Sequence, residues 1–361
     1  MPHPAHRRTG AVAAAALGIA VLAAGALTAP PQPSLSADAS GNPGLISEVR
    51  PLLETAGSLD RASVVLLDDG GVRTAHFGAT DDTKYEIGSI TKTMTAALLA
   101  DAVERGEVTE DTAVGDLLPL GDAPIAEVTL AELASHRAGL PTVPGGLGAT
   151  LATYGFTFLG TDPYRYDEQD LLGAASAENL DQRGRYSYSN MGVSLLGQAL
   201  ARAADMPYPE LLARRVLDPV GLTDTSAPTS PVDLASAAPT GLTPGGRRVD
   251  AWTLGSFAPS GSVRSTPKDM ATWAAALLDG EAPGMAALDA RWPIEDGLSI
   301  GLAWHVSELD GTTITWHNGG TGGFASMLAL DREAGRAVIV LHDTAVSVDA
   351  VALQVLAGSA R

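Results

Sequence analysis

Strand-like segments occur at both ends of the chain, and the long stretch between them has mostly helical patterning. The run Ala62 to Gly78 predicts a β-hairpin, because two β-rich segments flank the tight-turn sequence DDGG. Four more strand-like segments come late in the chain: SIGLAWHV, TTITWHN, GFASMLALD and RAVIVLHD. Consecutive strands joined by short turns pair antiparallel. We therefore predict an α/β (α+β) fold in which both ends share one antiparallel sheet and the middle is inserted as an all-helical lobe.

Helix signals support this order of elements. Helices are predicted at Ile46–Gly57 and Ser347–Gly358, near the two ends. In the middle, Thr129 and Glu132 form a capping-box pattern. The segment Ser265–Gly280 carries a threonine cap, a proline at the first helical position and a terminal glycine. The middle of the chain is therefore predicted to be helical with long loops.

The composition suits one globular enzyme. Of the 361 residues, 45% are hydrophobic and 18% are charged, which allows a sizeable core. The formal net charge is −19 with no basic stripe, so nucleic acid is not expected as a partner. The absence of cysteine excludes thiol catalysis and disulfides. We predict one catalytic domain over residues 40–361, with an α/β lobe at about 46–88 and 285–361 and a helical lobe at about 89–284, and we expect a monomer.

Residues 1–39 have the layout of a secretory signal peptide. A short basic start precedes the uncharged run Gly10 to Ala29, and a Pro-rich polar exit follows. Small residues offer cleavage sites at Ala24-Gly25-Ala26 and Ala37-Asp38-Ala39, and residues 40–45 look like a linker. The expected location is outside the cell or in the cell envelope. The alternative is an uncleaved N-terminal anchor, the one case in which a membrane would be a partner.

The first candidate for chemistry is Ser89 with Lys92 in the segment YEIGSITKT. Gly88 permits a tight entry into a helix, and residues three apart lie on the same helical face. Burial and the positive end of the helix dipole would lower the lysine pKa, so that a neutral amine could take the serine proton. Taken alone, the pair is more typical of a helix cap and a solvated lysine.

Two further polar clusters follow along the chain. Tyr188 and Asn190 form a Tyr-x-Asn triplet before a helical segment, where a phenol of lowered pKa could act as a base and an amide could hold the lysine or a substrate amide. In WHNGGTGGFAS, His317 and Asn318 precede glycines that would let a substrate approach the backbone N–H groups. Each cluster alone is compatible with an ordinary loop or turn.

Other motifs carry less weight. The segment GLSIG places Ser299 in a G-x-S-x-G pattern, but a strand-like segment follows it where a nucleophile elbow needs a helix. We interpret Ser299 as a strand serine and His136 as a residue that braces a turn. No histidine pair has metal-ligand spacing, so no metal and no cofactor is predicted.

The three clusters occur in one order, and together they resemble the motifs of the serine β-lactamase and penicillin-binding protein superfamily. The branch is similar to class C β-lactamases, D-alanyl-D-alanine carboxypeptidases and related esterases, and the resemblance covers about residues 45–360. It implies an antiparallel sheet with helices on both faces, an all-helical lobe and a site between them. It implies Ser89 as the acyl-forming nucleophile, Lys92 and Tyr188 as its proton-handling partners, and Asn190 as the group that orients the lysine and the substrate amide. The oxyanion hole would be the N–H groups of Ser89 and of Gly320, which follows Gly319.

One departure from the family pattern concerns the third motif. Class C β-lactamases carry Lys-Thr-Gly there, whereas this chain has His317-Asn318-Gly319. A histidine is mostly neutral at pH 7, so it lacks the permanent charge that binds a substrate carboxylate. The leading hypothesis is an exported hydrolase of D-alanyl peptides with affinity for β-lactams. The alternatives are a β-lactamase, an esterase on small acyl esters, and a catalytically silent module of the same fold.

Overall fold

A nine-stranded antiparallel sheet forms the centre of the molecule in the computed structural model, which describes residues 30–145, 147–234 and 240–358, without the side chains of residues 147–149 and 158. The strand order is β1-β3-β2-β11-β10-β9-β8-β7-β6. A separate two-stranded sheet pairs β4 with β5. The strands are β1 (Ala39–Gly41), β2 (Ala62–Asp68), β3 (Gly71–Phe77), β4 (Tyr85–Glu86), β5 (Arg264–Ser265), β6 (Trp292–Glu295), β7 (Leu298–Ile300), β8 (His305–Leu309), β9 (Thr312–Gly320), β10 (Ala325–Asp331) and β11 (Arg336–His342).

The large sheet joins the two ends of the chain, as the sequence predicts. Strand β2 pairs with the late strand β11, with Val64 opposite Val340. Most of the described helices lie in the stretch between β3 and β6, where they alternate with long loops. They and the terminal helices are α1 (Pro43–Ala56), α2 (Thr91–Glu104), α3 (Leu130–Ala134), α4 (Leu147–Leu159), α5 (Glu168–Ser176), α6 (Asn190–Ala203), α7 (Tyr208–Leu212), α8 (Asp218–Val220), α9 (Pro267–Asp279) and α10 (Asp349–Gly358).

Hydrophobic clusters cover both faces of the sheet. Successive side chains of a strand point to opposite faces, and β2 shows this directly. Val64 belongs to a cluster with Leu45 of α1 and Val355 of α10. Val65 belongs to a larger cluster with the helices of the middle stretch, including Met94 of α2. The predicted class, an antiparallel sheet flanked by helices, is confirmed.

Local signals place several helices as predicted. Thr266 caps α9 by accepting a hydrogen bond from Asp269 N at 3.1 Å, and Gly280 ends the helix with a positive φ of 75°. The capping box of Thr129 and Glu132 is present at α3, since both reciprocal hydrogen bonds form. These contacts lie within four residues of each other, which is why the sequence alone reveals them.

Two details of the sheet differ from the prediction. The segment SIGLAWHV was expected as one strand, but it divides into β7 and β8 because the chain turns at Gly301–Trp304, where Ala303 adopts a φ of 63°. Strand β6 was not predicted. It contains Pro293, which an edge strand tolerates because its free side needs no N–H donor. Six strands, β6 to β11, therefore follow the middle stretch, where the sequence showed four strand-like segments.

Regular secondary structure begins closer to the N-terminus than predicted. Residues 40–45 were expected as a linker, but β1 pairs with β3 and Asn42 caps α1 by accepting a hydrogen bond from Leu45 N at 3.0 Å. Most of the predicted signal peptide, residues 1–29, lies outside the described residues. None of the helices in the described part combines the length and hydrophobicity that a membrane span requires.

Candidate active site

Ser89 lies at the sharp connection between β4 and α2. Gly88 adopts a φ of 51°, and residues Gly88–Ile90 form one 3₁₀ turn that leads into α2. Such a φ favours glycine. Ser89 is partly exposed, whereas Lys92 on the first turn of α2 is fully buried at 0% exposure. The solvated lysine that the isolated pattern permits is therefore excluded.

The Lys92 amine contacts the serine hydroxyl directly. Lys92 Nζ lies 2.9 Å from Ser89 Oγ and donates to the backbone carbonyl of Ser260 at 2.6 Å. Burial lowers the pKa of the Lys92 ammonium well below its usual value. A neutral amine has a lone pair, so the Ser89 hydroxyl can give its proton to Nζ.

Tyr188 approaches the same hydroxyl from a second element. Its OH donates to Ser89 Oγ at 2.7 Å, and Lys92 Nζ lies 5.0 Å from the centre of its ring. Burial raises the pKa of the Tyr188 phenol above its usual value. This direction is opposite to the lowered tyrosine pKa expected from the sequence, because desolvation by burial outweighs the hydrogen bond with Ser89, which lowers the pKa. In this geometry the Tyr188 hydroxyl donates to Ser89 Oγ, and Lys92 Nζ lies where a neutral amine could accept the serine proton.

Asn190 makes no hydrogen bond to Lys92 among the described residues. Ser189 caps α6 by accepting a hydrogen bond from Gly192 N at 2.9 Å. The Asn190 side chain is therefore not the helix cap and can bond other groups. Asn190 Nδ2 donates to the Tyr164 hydroxyl at 2.9 Å. Its Oδ1 is buried and has no hydrogen-bond partner among the described residues. The expectation that Asn190 orients Lys92 is thus corrected, while an acceptor for a substrate N–H group remains.

The end of β9 packs directly against the serine turn. A Cβ added to Gly88 would lie 2.6 Å from Gly320 N, and one added to Gly319 would lie 2.0 Å from Ile87 O. Both distances are far below normal contact, so only glycine permits this approach. The arrangement brings the Gly320 N–H beside the turn that carries Ser89, as an oxyanion hole made of these two N–H groups requires.

The side chains of the third motif point to opposite faces of the sheet. His317 pairs with Leu328 of the larger cluster, whereas Asn318 pairs with Met327 of the cluster under α1 and α10. Asn318 Nδ2 donates to Asp349 Oδ2 at 2.8 Å, on α10. The substrate-binding role predicted for Asn318 is therefore wrong. Strand alternation sends this side chain away from Ser89.

His317 is neutral in this structure. It is fully buried, and Nδ1 lies 2.6 Å from the Asn318 carbonyl, which makes Nδ1 the protonated nitrogen. Nε2 has no hydrogen-bond partner in the described part of the chain. Burial, followed by the nearby His305 and Lys92, lowers the pKa of His317 well below its usual value. The third motif thus offers an acceptor nitrogen where a lysine would offer a positive charge.

Two more histidines surround Tyr188 and His317. The His136 ring lies 4.5 Å from the Tyr188 ring, and its Nδ1 accepts from Ser189 N at 3.2 Å. His136 therefore braces the second motif, which fits its predicted role in a turn. His305 stacks on Trp316 at 4.6 Å, and burial lowers the pKa of His305 to about 4. Sequence reasoning did not find the contact of His305 with this site, because only strand pairing brings β8 beside β9.

The remaining candidates are placed as follows. The Ser260 carbonyl and Tyr164 hydroxyl touch the motif residues, yet neither was singled out from the sequence, since each contact spans a long stretch of chain. Ser299 lies in β7 opposite Val306, so it is a strand serine as interpreted above. No group of three or more metal-binding side chains occurs in residues 30–145, 147–234 and 240–358.

Comparisons with known proteins identify the family and the fold of this chain. The beta-lactamase family model matches residues 48–359. The D-alanyl-D-alanine-carboxypeptidase/endopeptidase AmpH of Escherichia coli K12 is 28% identical over 287 residues, which covers 72% of this chain and 71% of that protein. A class C β-lactamase structure from Rhodobacter sphaeroides superposes with a TM-score of 0.74 at 20% identity, covering 87% of this chain and 99% of that one. A D-stereospecific amidohydrolase from Streptomyces gives a TM-score of 0.74 at 20% identity, covering 86% and 98%.

Proposed function

The chain belongs to the beta-lactamase family and is a serine hydrolase, and from that premise we propose that it hydrolyses D-alanyl peptides through an acyl-enzyme on Ser89. One observation carries the proposal. The Lys92 amine, which is buried and has a lowered pKa, and the Tyr188 hydroxyl both lie within hydrogen-bond distance of Ser89 Oγ. A serine with a base at hydrogen-bond distance is the arrangement that nucleophilic catalysis requires.

The proposed reaction has two halves. Ser89 Oγ attacks the carbonyl carbon of the scissile bond, and its proton moves to Lys92 Nζ. The N–H groups of Ser89 and Gly320 stabilise the oxyanion. The bond to the leaving amine breaks as the amine takes up a proton from the Lys92–Tyr188 pair. Water then attacks the acyl carbon, gives its proton to Lys92 and releases the acid, and that proton returns to Ser89 Oγ.

The substrate class is proposed from two sources. The relative AmpH is named for its activity as a D-alanyl-D-alanine carboxypeptidase and endopeptidase. The neutral His317 bears on which bonds are preferred, because it supplies no charge for a terminal carboxylate. We therefore expect internal D-alanyl bonds to be cleaved at least as well as C-terminal ones. The same neutral histidine argues against efficient β-lactam hydrolysis.

A second candidate is hydrolysis of small acyl esters. It is favoured by the same observation at His317, because an ester has no carboxylate to bind. Ester substrates also have better leaving groups than amides, so they demand less of the proton donor. This candidate also acylates Ser89, but it differs in the acyl group and in the leaving group.

The test compares the wild-type enzyme with Ser89→Ala and with Ser299→Ala as a matched control. Ser299 lies in a strand of the same sheet and carries the competing G-x-S-x-G pattern. Release of D-alanine is measured from a D-Ala-D-Ala peptide, and cleavage is measured for the same peptide with an amidated C-terminus. We expect Ser89→Ala to lower both rates by at least about 1,000-fold, with Ser299→Ala near the wild type.

Intact mass spectrometry after penicillin exposure complements these rates. A mass gain that depends on Ser89 identifies the nucleophile, and its persistence distinguishes slow deacylation from β-lactamase turnover. Hydrolysis of p-nitrophenyl acetate without cleavage of either peptide would replace the leading proposal with the ester alternative. Peptide and ester turnover that survives in Ser89→Ala would overturn both.

A further inference from the structure

One long stretch of the chain, between the first and second motifs, carries no charge. Residues 138–161 contain no Asp, Glu, Lys, Arg or His, although 18% of the whole chain is charged. Apolar stretches of a globular domain are most often buried in its core. This stretch contains α4, and the exposure of its side chains shows that the helix lies at the surface.

Large hydrophobic side chains project from this stretch into solvent. Among the described residues, seven large hydrophobic side chains are exposed, and four of them lie here. On α4, Leu151, Tyr154 and Leu159 are 61%, 58% and 75% exposed, and Val143 before the helix is also exposed. Single exposed apolar residues are ordinary on a protein surface, but a group of them on one element indicates an interaction site.

The packed side and the exposed side of α4 are different. Phe156 holds the helix on the domain, with its ring centre 5.8 Å from that of Trp252. A Cβ added to Gly322 would lie 2.6 Å from Phe156 Cε2, so this ring also packs on the turn after the third motif. Leu151 and Tyr154 are three residues apart and therefore share another side of the helix. That side is the one left in contact with solvent.

The N-terminal end of the described chain lies beside the same helix. A Cβ added to Gly246 would lie 2.3 Å from the Pro31 carbonyl oxygen, so the chain enters the fold against this loop. The next residue, Arg247, donates through Nη2 to the carbonyls of Phe156 and Thr157 at 3.3 and 3.0 Å. Both carbonyls belong to the last turns of α4. Two direct contacts therefore connect the entry point of the chain to the end of α4.

The segment that precedes this entry point is itself apolar. The uncharged run Gly10 to Ala29 ends two residues before Pro31, so at most about 7 Å separates Ala29 from Pro31. As a signal peptide or as an anchor, this run would lie in the bilayer during export. A chain that leaves the bilayer near residue 30 brings the end of α4 close to the membrane surface.

The length of α4 suits a helix that lies on a membrane. Its 13 residues extend over about 20 Å, whereas the hydrocarbon core of a bilayer is about 30 Å thick. Leucines on such a helix enter the boundary between headgroups and acyl chains, and a tyrosine places its ring at headgroup level. The net charge of −19 opposes attraction to anionic lipids. Burial of apolar surface would therefore drive the binding.

We propose that the exposed side of α4, formed by Leu151, Tyr154 and Leu159, docks on the surface of a lipid bilayer. The contact does not depend on an uncleaved anchor, because α4 belongs to the folded domain. It is also independent of the reaction at Ser89. Since α4 packs on the turn after the third motif, the docked bilayer would lie on that side of the candidate active site.

Flotation with phosphatidylcholine vesicles tests this proposal. The protein is the chain from Leu27, the form expected after cleavage at Ala24-Gly25-Ala26, which contains every described residue. We expect it to float with the vesicles. Leu151→Glu should lower its partition coefficient by at least about 10-fold, because a carboxylate replaces an inserted apolar group. Leu159→Glu is a second variant with the same expected direction.

Val72→Glu is the matched control. Val72 lies on β3 and is 57% exposed, so the substitution makes the same change of charge at a similar exposure on another element. We expect Val72→Glu to float like the wild type. Circular dichroism of all three variants should match the wild-type spectrum.

The remaining outcomes would overturn the proposal. They are a wild-type chain that stays in solution and equal flotation of the α4 variants and Val72→Glu. Flotation that requires added phosphatidylglycerol and disappears at high salt would assign the binding to charge instead. A dimer in sedimentation equilibrium that Leu151→Glu dissociates, without flotation of the wild type, would assign this face to a second copy of the chain. None of these measurements depends on hydrolysis, so the proposed function is tested separately.

Discussion

At the scale of single residues, burial decides the chemistry of the candidate site. Lys92 and Tyr188 contact the same hydroxyl, and burial moves their pKa values in opposite directions. In both cases the neutral form is favoured, because a low-dielectric surrounding disfavours charge of either sign. The result is a base and a proton donor on either side of Ser89 Oγ, at 2.9 and 2.7 Å.

This arrangement predicts the pH dependence of kcat/KM. The active lysine is the neutral amine, which exists above its pKa, and burial brings that pKa well below 10.5. Activity should therefore reach its plateau below the ordinary lysine range and fall about tenfold per pH unit on the acidic side. Lys92→Arg should lose roughly 10³-fold, because an arginine stays charged.

Tyr188→Phe distinguishes the two possible bases. We expect it to lower kcat/KM by roughly 10²-fold. The pH at which activity falls on the acidic side should stay the same, because that fall reports protonation of Lys92. The measurement is a pH profile of ester hydrolysis for both enzymes. Two results would identify the Tyr188 phenolate as the base instead. One is a wild-type rate that keeps rising to pH 10, and the other is loss of the acidic fall in kcat/KM in Tyr188→Phe.

At the scale of elements, the end of β9 both orients the third-motif side chains and packs against the serine turn. Its alternation turns His317 towards the serine and Asn318 towards α10, and its glycines allow contact with the serine turn. The sequence places neighbouring strand residues on opposite faces, but it does not show which of the two faces Ser89. That choice depends on the register in which β9 pairs with β10. The sequence therefore proposed both His317 and Asn318 for the site, and the structure turns the Asn318 side chain to the opposite face.

Gly319→Ala tests the close approach of β9. The new Cβ would meet Ile87 O at 2.0 Å and Ser326 Oγ at 2.4 Å, so the strand end must move away from Ser89. A displacement of about 1 Å at a reacting centre can cost roughly 10²-fold, and we expect that loss in kcat/KM. Gly320→Ala is the matched control, since its Cβ would meet nothing within 4 Å and its N–H remains.

Circular dichroism accompanies the kinetics of both glycine variants. We expect both to keep the wild-type spectrum and Gly320→Ala to lose much less activity than Gly319→Ala. Equal losses in the two variants would mean that close packing of β9 on the serine turn does not support catalysis.

At the scale of the whole molecule, the sheet extends further towards the N-terminus than the sequence indicated. Ala39 pairs with Phe77 in β3, Gly78 N donates to the Asp38 carbonyl at 2.8 Å, and Ser36 N donates to the Asp60 carbonyl at 3.0 Å. A mature protein that began at residue 40 would lose these contacts. We therefore propose export with cleavage after Ala26.

The mass of the exported protein checks this proposal. Intact mass spectrometry of the protein recovered outside the cytoplasm should correspond to a chain that starts at Leu27. A start at Ser40 would contradict the role of residues 36–39 in the fold. An unprocessed chain in the membrane fraction would support the anchor in place of the signal peptide.

The sequence by itself determined the features that depend on neighbours along the chain. The caps of α3 and α9, the hairpin of β2 and β3 and the helical turn that joins Ser89 to Lys92 all involve residues a few positions apart. Their geometry follows from local hydrogen bonds and helical periodicity, which a reader can recognise in the order of residues.

Tertiary structure alone decided the features that depend on burial and on distant partners. Four such features require neighbours from other elements: the lowered pKa of Lys92, the raised pKa of Tyr188, the bond from Asn190 to Tyr164 and the bond from Asn318 to α10. Desolvation depends on everything that surrounds a group, and strand register depends on the partner strand. These quantities exist only once the chain has folded, because they are properties of packed surroundings and not of residue order.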